Sequence, residues 1–236
     1  MSFARILVGL DASPLSLAAL ETARRLADRL GADLRGLYVE DVNLARLADH
    51  PEVTLVSLLH RRRRDDHADL IGDALKLQQA AARRAFAAQG LPPQALALRS
   101  GRVVTEIRQA AQECELLVLG WHGRDPKKAS AARLGSLTAA LIHNRPGPLL
   151  LVRQSCDEAK TASSAQPTAP WLGLSALPSD QPAVALAELW AQQLDLPWSV
   201  IVHPDCAPPG HLLISSRPSS VECQADALLL LPENRA

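Results

Sequence analysis

Through the first 153 residues, short apolar runs of strand length alternate with longer stretches of helical periodicity. Ala4 to Leu10 is a β-rich run, broken by Asp11-Ala12-Ser13-Pro14, and a helical pattern follows from about Leu15 to Leu30. Ser13 stands as the N-cap with Pro14 at the first helical position, and Gly31 stops the helix. Leu34 to Val39 reads as the second strand. Its end carries Glu40-Asp41, and a predominantly polar connection leads to an alanine-rich helix from about Asp66 to Ala88, stopped by Gly90 and Pro92-Pro93. Leu96 to Arg99 is a short third strand, and Gly101 turns the chain into a helix from about Val103 to Glu113. Glu115 to Leu119 is the fourth strand. An apolar helical segment opens at Gly135-Ser136 and reaches about Asn144, where Arg145-Pro146-Gly147-Pro148 ends it; Leu149 to Val152 is the fifth strand.

This alternation predicts an α/β domain, a doubly wound parallel sheet with helices on both faces. Ligands of such sheets sit at the carboxyl ends of the strands. Asp11, Val39 and Gly120 all lie on that rim. Beyond Gly120 comes a long basic loop bracketed by glycines, running through Gly123 to Gly135 and the helix start at Ser136. Glycines let backbone N–H groups approach an anion closely, and the first amides of a helix carry partial positive charge, so the loop suits a phosphate. Arg124, Lys127, Lys128 and Arg133 add charge to it; taken singly, each also reads as part of a solvated charged loop.

Composition narrows the classes. Apolar residues make up 47% of the 236, with aromatics only 3%, so the core is expected to be aliphatic. Basic and acidic residues balance at 25 each, which offers no general attraction for nucleic acid or anionic membrane. Arg61-Arg62-Arg63-Arg64 is followed at once by Asp65-Asp66 and reads as a solvated helix entry. The four cysteines, Cys114, Cys156, Cys206 and Cys223, form no C-x-x-C pair, and zinc is not expected. With no basic-then-apolar leader and no apolar span of membrane length, the expectation is a cytoplasmic protein. His122, between two loop glycines, has no acid or cysteine partner at recognisable spacing and reads as a hydrogen-bonding loop residue.

Four features in order resemble the universal stress protein family: Ile6-Leu7-Val8-Gly9-Leu10-Asp11-Ala12-Ser13, Leu37-Tyr38-Val39, Gly101 with Ile107, and Leu117-Val118-Leu119-Gly120-Trp121-His122-Gly123-Arg124 followed by Gly135-Ser136. The resemblance covers about residues 1–153 and implies five parallel strands ordered 3-2-1-4-5. It also implies ATP binding, with Mg²⁺ as a companion ion. Asp11 would then be the acid after the first strand and Val39 the backbone contact to adenine; Gly120, Gly123, Gly135 and Ser136 would hold ribose and phosphates, with Arg124, Lys127 and Lys128 as further phosphate contacts. The spacer from Arg124 to Leu134 is about two residues longer than the family pattern. Trp121 stands where the family prefers a small residue, and either shelters the ligand or fills its place.

Residues 154–169 are polar and small, the composition of a linker. From 170 to 236 the runs WLGLSA, LPWSVIVH, LLISSR and ADALLLL, with a helical stretch from about Ala183 to Leu194, recapitulate the first half as a degenerate second copy. In this alignment LLISSR matches the third strand and ADALLLL the fourth, and the fifth is lost. Ser175 or Ala176 replaces the acid, so no nucleotide is expected there. Lacking its later helices, this copy would leave one apolar face open and the fifth-strand edge of the first half without an internal counterpart, which predicts a homodimer joined through that edge or sharing the second copy. The leading expectation is an ATP-binding stress-response or signalling protein that works through partners, with at most slow ATP hydrolysis. Its rival is a dimeric scaffold without nucleotide. No pyrophosphate loop of the S-G-G-x-D-S type follows the first strand, which argues against a nucleotide-activating enzyme.

Overall fold

The first helix starts and stops where its residue types require. β1 (Arg5–Leu10) passes into α1 (Pro14–Leu30) at Ser13, whose hydroxyl accepts the Ser16 amide at 3.1 Å, and α1 ends at Gly31 with φ 64°. That left-handed conformation costs glycine little and most residues more than a kilocalorie. The structure is a computed structural model that describes residues 3–48, 67–121, 135–144, 147–153, 171–208, 210–217, 225 and 227–232. After α1 come β2 (Asp33–Asp41), α2 (Val42–Ala48), α3 (His67–Ala88), β3 (Leu96–Gly101), α4 (Val103–Ala111), β4 (Leu116–Gly120), α5 (Ser136–His143) and β5 (Leu149–Val152). The later residues form β6 (Gly173–Ala176), α6 (Gln181–Leu194), β7 (Trp198–Val200), β8 (His211–Ser215) and β9 (Ala227–Leu230).

All nine described strands join one sheet in the order β3-β2-β1-β4-β5-β9-β8-β6-β7. The first five stand 3-2-1-4-5 and are parallel, as expected. Side chains alternate between two apolar layers. Leu116 and Val118 of β4 face α1, α3 and α6, whereas Leu117 and Leu119 face α4 and α5, so the helices divide between the faces as right-handed crossovers require. Phe3 meets Trp190 of α6 edge to face, with ring centroids 5.4 Å apart, and Trp171 stacks on Trp190 at 6.4 Å. Aromatic contact of this kind fastens the two halves of the sheet on the α1–α6 face.

Several sequence expectations need correction. The connection after β2 holds a helix, α2, and β2 itself runs on to Asp41. β8 does not take the third-strand position: it lies against β6 on the side opposite β7, and β9 lies beyond it. The order β7-β6-β8-β9 thus parallels β2-β1-β4-β5, and among the described residues of the second half no strand takes the third-strand position. β5 therefore has an internal counterpart. It pairs antiparallel with β9, Leu149 opposite Leu230 and Val152 opposite Ala227. With β4 on one side and β9 on the other, β5 offers no edge for pairing between chains. The apolar face expected to stand open is also closed within the single chain, where Leu213, Leu228 and Leu230 are fully buried. The linker, residues 154–169, and the Arg61–Arg64 run lie outside the described residues.

Two polar clusters order the second half. Asp180, only 2% exposed, caps α6 by accepting the Ala183 amide at 3.4 Å. Its carboxylate also accepts the Ser215 hydroxyl at 3.1 Å, the Ser216 amide at 2.6 Å and the Ser216 hydroxyl at 2.9 Å, tying the end of β8 to the start of α6. From the other end of β8, His211 Nδ1 lies 3.0 Å from the Ser175 hydroxyl, which in turn is 3.3 Å from that of Ser199.

Burial pushes the His211 imidazole below its ordinary value of about 6.5. The folded protein then binds fewer protons than the unfolded chain, so stability is complete above that ordinary value and declines as pH falls through it. Denaturant unfolding followed between neutral pH and mild acid is expected to show this decline. Replacing His211 by Gln should flatten it; an unchanged slope would assign the decline to other groups.

Candidate functional site

At the carboxyl ends of β1, β2 and β4 the sheet opens into a cleft of about 860 Å³. Its position follows from the topology, because α1 and α5, which follow the adjacent strands β1 and β4, lie on opposite faces of the sheet and leave a crevice above the strand ends. Asp11, Val39, Gly120, Gly135 and Ser136 all line it. Asp11 is half-buried; its Oδ1 accepts the Ser13 amide at 2.9 Å, which turns the chain sharply into α1 through Ala12 at φ 58°. Val39 lies just past Tyr38, the last β2 residue paired with β1, so β2 overhangs β1 from Val39 to Asp41. On that side the β2 backbone meets the cleft rather than a neighbouring strand.

Gly120 is a glycine for a steric reason. A Cβ there would sit 2.9 Å from the Leu15 carbonyl carbon, a backbone atom in the first turn of α1 that cannot swing aside. Across the cleft floor, the Gly135 amide donates to the Trp121 carbonyl at 3.2 Å and the Thr138 hydroxyl to the Gly120 carbonyl at 3.4 Å, fastening the start of α5 to the end of β4. The first bond inside α5 runs from the Ala139 amide to the Gly135 carbonyl, and Gly135 as N-cap supplies no side chain. The amides of Ser136, Leu137 and Thr138 therefore have no acceptor within the helix, at the positive end of its dipole.

Trp121 does not enter the cleft. It continues the alternation of Leu117 and Leu119 onto the α4–α5 face, where it is fully buried with the Arg153 guanidinium 4.0 Å from the ring centroid. Gly123, Arg124, Lys127, Lys128, Arg133 and His122 lie outside the described residues. The cleft also contains groups that the sequence reading passed over: Asp41 and Asn43 at the start of α2, and Arg102 with Val103 to Thr105 at the start of α4. Arg102 follows the end of β3 just as Asp11 follows β1. Asking what stands immediately after each strand end would have found it. Among the described residues no group of three or more His, Cys, Asp or Glu side chains is placed to hold a metal, and no helix is long and apolar enough to cross a membrane.

The sequence pattern of the Universal stress protein family matches residues 2–153, the span that carries β1 to β5 and this cleft. The chain belongs to the universal stress protein family. No curated protein matches it. Among solved structures, a functionally unknown protein from Pseudomonas aeruginosa is 15% identical, with a TM-score of 0.54 over 98% of this chain and 92% of its own. A universal stress protein from Archaeoglobus fulgidus is 14% identical, with a TM-score of 0.52 over 92% of this chain and 68% of its own. At such identities the likeness concerns the fold, and it extends through both halves of the sheet. A universal stress protein solved in complex with cAMP is 22% identical over 65% of this chain and 98% of its own, with a TM-score of 0.37.

Proposed function

We propose that the cleft binds an adenine nucleotide, ATP with Mg²⁺ being the leading ligand, and that this universal stress protein acts in stress response or signalling through occupancy of that site and the partners it then engages. One observation carries the reading: Asp11, Val39, Gly120, Gly135 and Ser136 come from four separate segments and line a single cleft. Each supplies something a nucleotide uses. The α5 amides suit phosphate oxygens, and the β2 overhang has backbone groups available to a base edge. Asp11 retains a second carboxylate oxygen for a ribose hydroxyl or for Mg²⁺ held by the phosphates. The volume falls within the range of about 300–1,000 Å³ usual for small-molecule pockets.

The scaffold alternative rests on Trp121 and the longer spacer closing the pocket; Trp121 is packed in the core instead, and the spacer, residues 124–134, lies outside the described residues. Binding, rather than turnover, is the proposed activity. Residues 170–236 are read with this as a degenerate copy that takes no nucleotide. Its strand order supports the repeat. Asp180, buried against Ser215 and Ser216, already occupies the junction where the first half holds its cleft open beside Asp11.

Calorimetric titration of the full chain with ATP and Mg²⁺, and separately with adenosine and cAMP, tests the proposal; one site per chain for ATP is expected. Gly135→Val places a branched side chain where phosphate must approach, and at φ −61° it does so without backbone strain. This variant should keep its fold and lose at least about tenfold in ATP affinity. Asp11→Ala should weaken Mg-ATP more than adenosine if the carboxylate serves the metal, and both equally if it serves the ribose. ATP binding untouched by either substitution would place the ligand elsewhere.

A further inference from the structure

The charges on the cleft do not suit an anion unless one side chain is counted with care. Among the described residues lining it, Asp11 and Asp41 are acidic and Arg102 alone is basic. A polyphosphate entering there would meet two carboxylates, and at separations of several ångströms like charges repel appreciably even near a protein surface. Arg102 is placed to offset them. It is the N-cap residue of α4, exposed, and forms no ion pair with any described residue. Its neighbour Arg99 is engaged elsewhere, with Nη1 3.5 Å from Glu106 Oε2, and does not line the cleft. α4 packs beside α5, so Arg102 stands at the same end of the helical layer as the open amides of Ser136 to Thr138.

We infer that Arg102 is a specificity-determining residue of this site, contacting an anionic group of the ligand, in a nucleotide its phosphates, and so setting the preference for nucleotide over nucleoside. The inference rests on the nucleotide reading of the cleft. A guanidinium suits phosphate because its planar donors meet two oxygens at once and its charge does not titrate. Lysine keeps the charge without the fork.

Titration of the wild-type chain and its Arg102→Ala, Arg102→Lys and Arg99→Ala variants with ATP and with adenosine separates the possibilities. Arg102→Ala is expected to weaken ATP binding by about tenfold while adenosine changes by less than about twofold, with Arg102→Lys between. Arg99→Ala should leave both affinities unchanged, since that arginine acts on α4. Because both side chains are at least partly exposed, circular dichroism and melting curves should show the fold retained. If wild-type binds ATP but Arg102→Ala binds it equally well, or loses adenosine to the same extent, the inference is overturned and the nucleotide reading stands. Equal losses from Arg99→Ala would overturn it too, by showing a general field effect. A wild-type chain that binds neither ligand overturns both.

Discussion

A chain ending at Arg153 is expected to self-associate. Removing the second half strips β9 from β5 and exposes a row of backbone donors and acceptors along Leu149–Val152, the form of edge that pairs with another chain. It also uncovers apolar side chains on both faces. Leu149, Leu150, Leu151 and Val152 are at most 1% exposed, and Phe3 loses its contact with Trp190. Burying such side chains fully is worth roughly 1.5–3 kcal/mol each, so even partial exposure of five approaches the net stability of an ordinary domain, about 5–15 kcal/mol. The fragment can recover that loss only by pairing β5 with its own copy or by aggregating. Sedimentation at several concentrations should show, for the fragment, a dimer or larger species that the full chain does not form through this edge. A fragment that stays monomeric with native circular dichroism would mean that β5 needs no cover.

Asp180→Ala should be among the most destabilising single changes in the second half. The carboxylate accepts four described hydrogen bonds from Ala183, Ser215 and Ser216 while only 2% exposed, and bonds to a charged acceptor contribute more than neutral ones. A loss of about 3–5 kcal/mol follows, with a fall in Tm on the order of 10 °C. Asp180→Asn keeps the shape and one acceptor oxygen and should lose about half as much. Asp11→Ala makes a useful contrast, since Asp11 is half-buried and accepts the Ser13 amide; its cost should be nearer 1 kcal/mol. Thermal and denaturant unfolding of the three variants give the comparison. Equal effects at Asp180 and Asp11 would show that burial does not distinguish the two acids.

The first half was largely readable from local chemistry, because its elements carry their own punctuation. Ser13-Pro14 and Gly31 mark α1, and Gly120 and Gly135-Ser136 mark the end of β4 and the start of α5. α2 escaped notice since Val42 to Ala48 is only seven residues long, about two turns, too short for helical periodicity to declare itself. β8 and β9 were found as strands but given the wrong neighbours. The middle of β8 and the whole of β9 are apolar, and a run such as Ala227–Leu230 shows burial on both faces without saying which strand lies beside it. Partner choice is a property of the assembled sheet. Trp121 was legible in principle, for a strict two-residue period through Leu117 and Leu119 assigns it to the core face. Asp41 and Arg102 needed the register of β2 and β3, which overhang β1 and bring their following residues to the cleft rim.

The β5–β9 ladder has a consequence for how the protein behaves on dilution. Two separate subunits joined at such an edge part when their concentration falls below the dissociation constant, and a binding site steadied by the joint would loosen with them. Here the covering strand is tethered to the strand it covers, so its effective concentration is fixed by chain geometry, whatever the amount of protein present. Opening the edge becomes a first-order local event rather than a dissociation. A chain built this way can present the same cleft, with the same affinity, when scarce as when abundant.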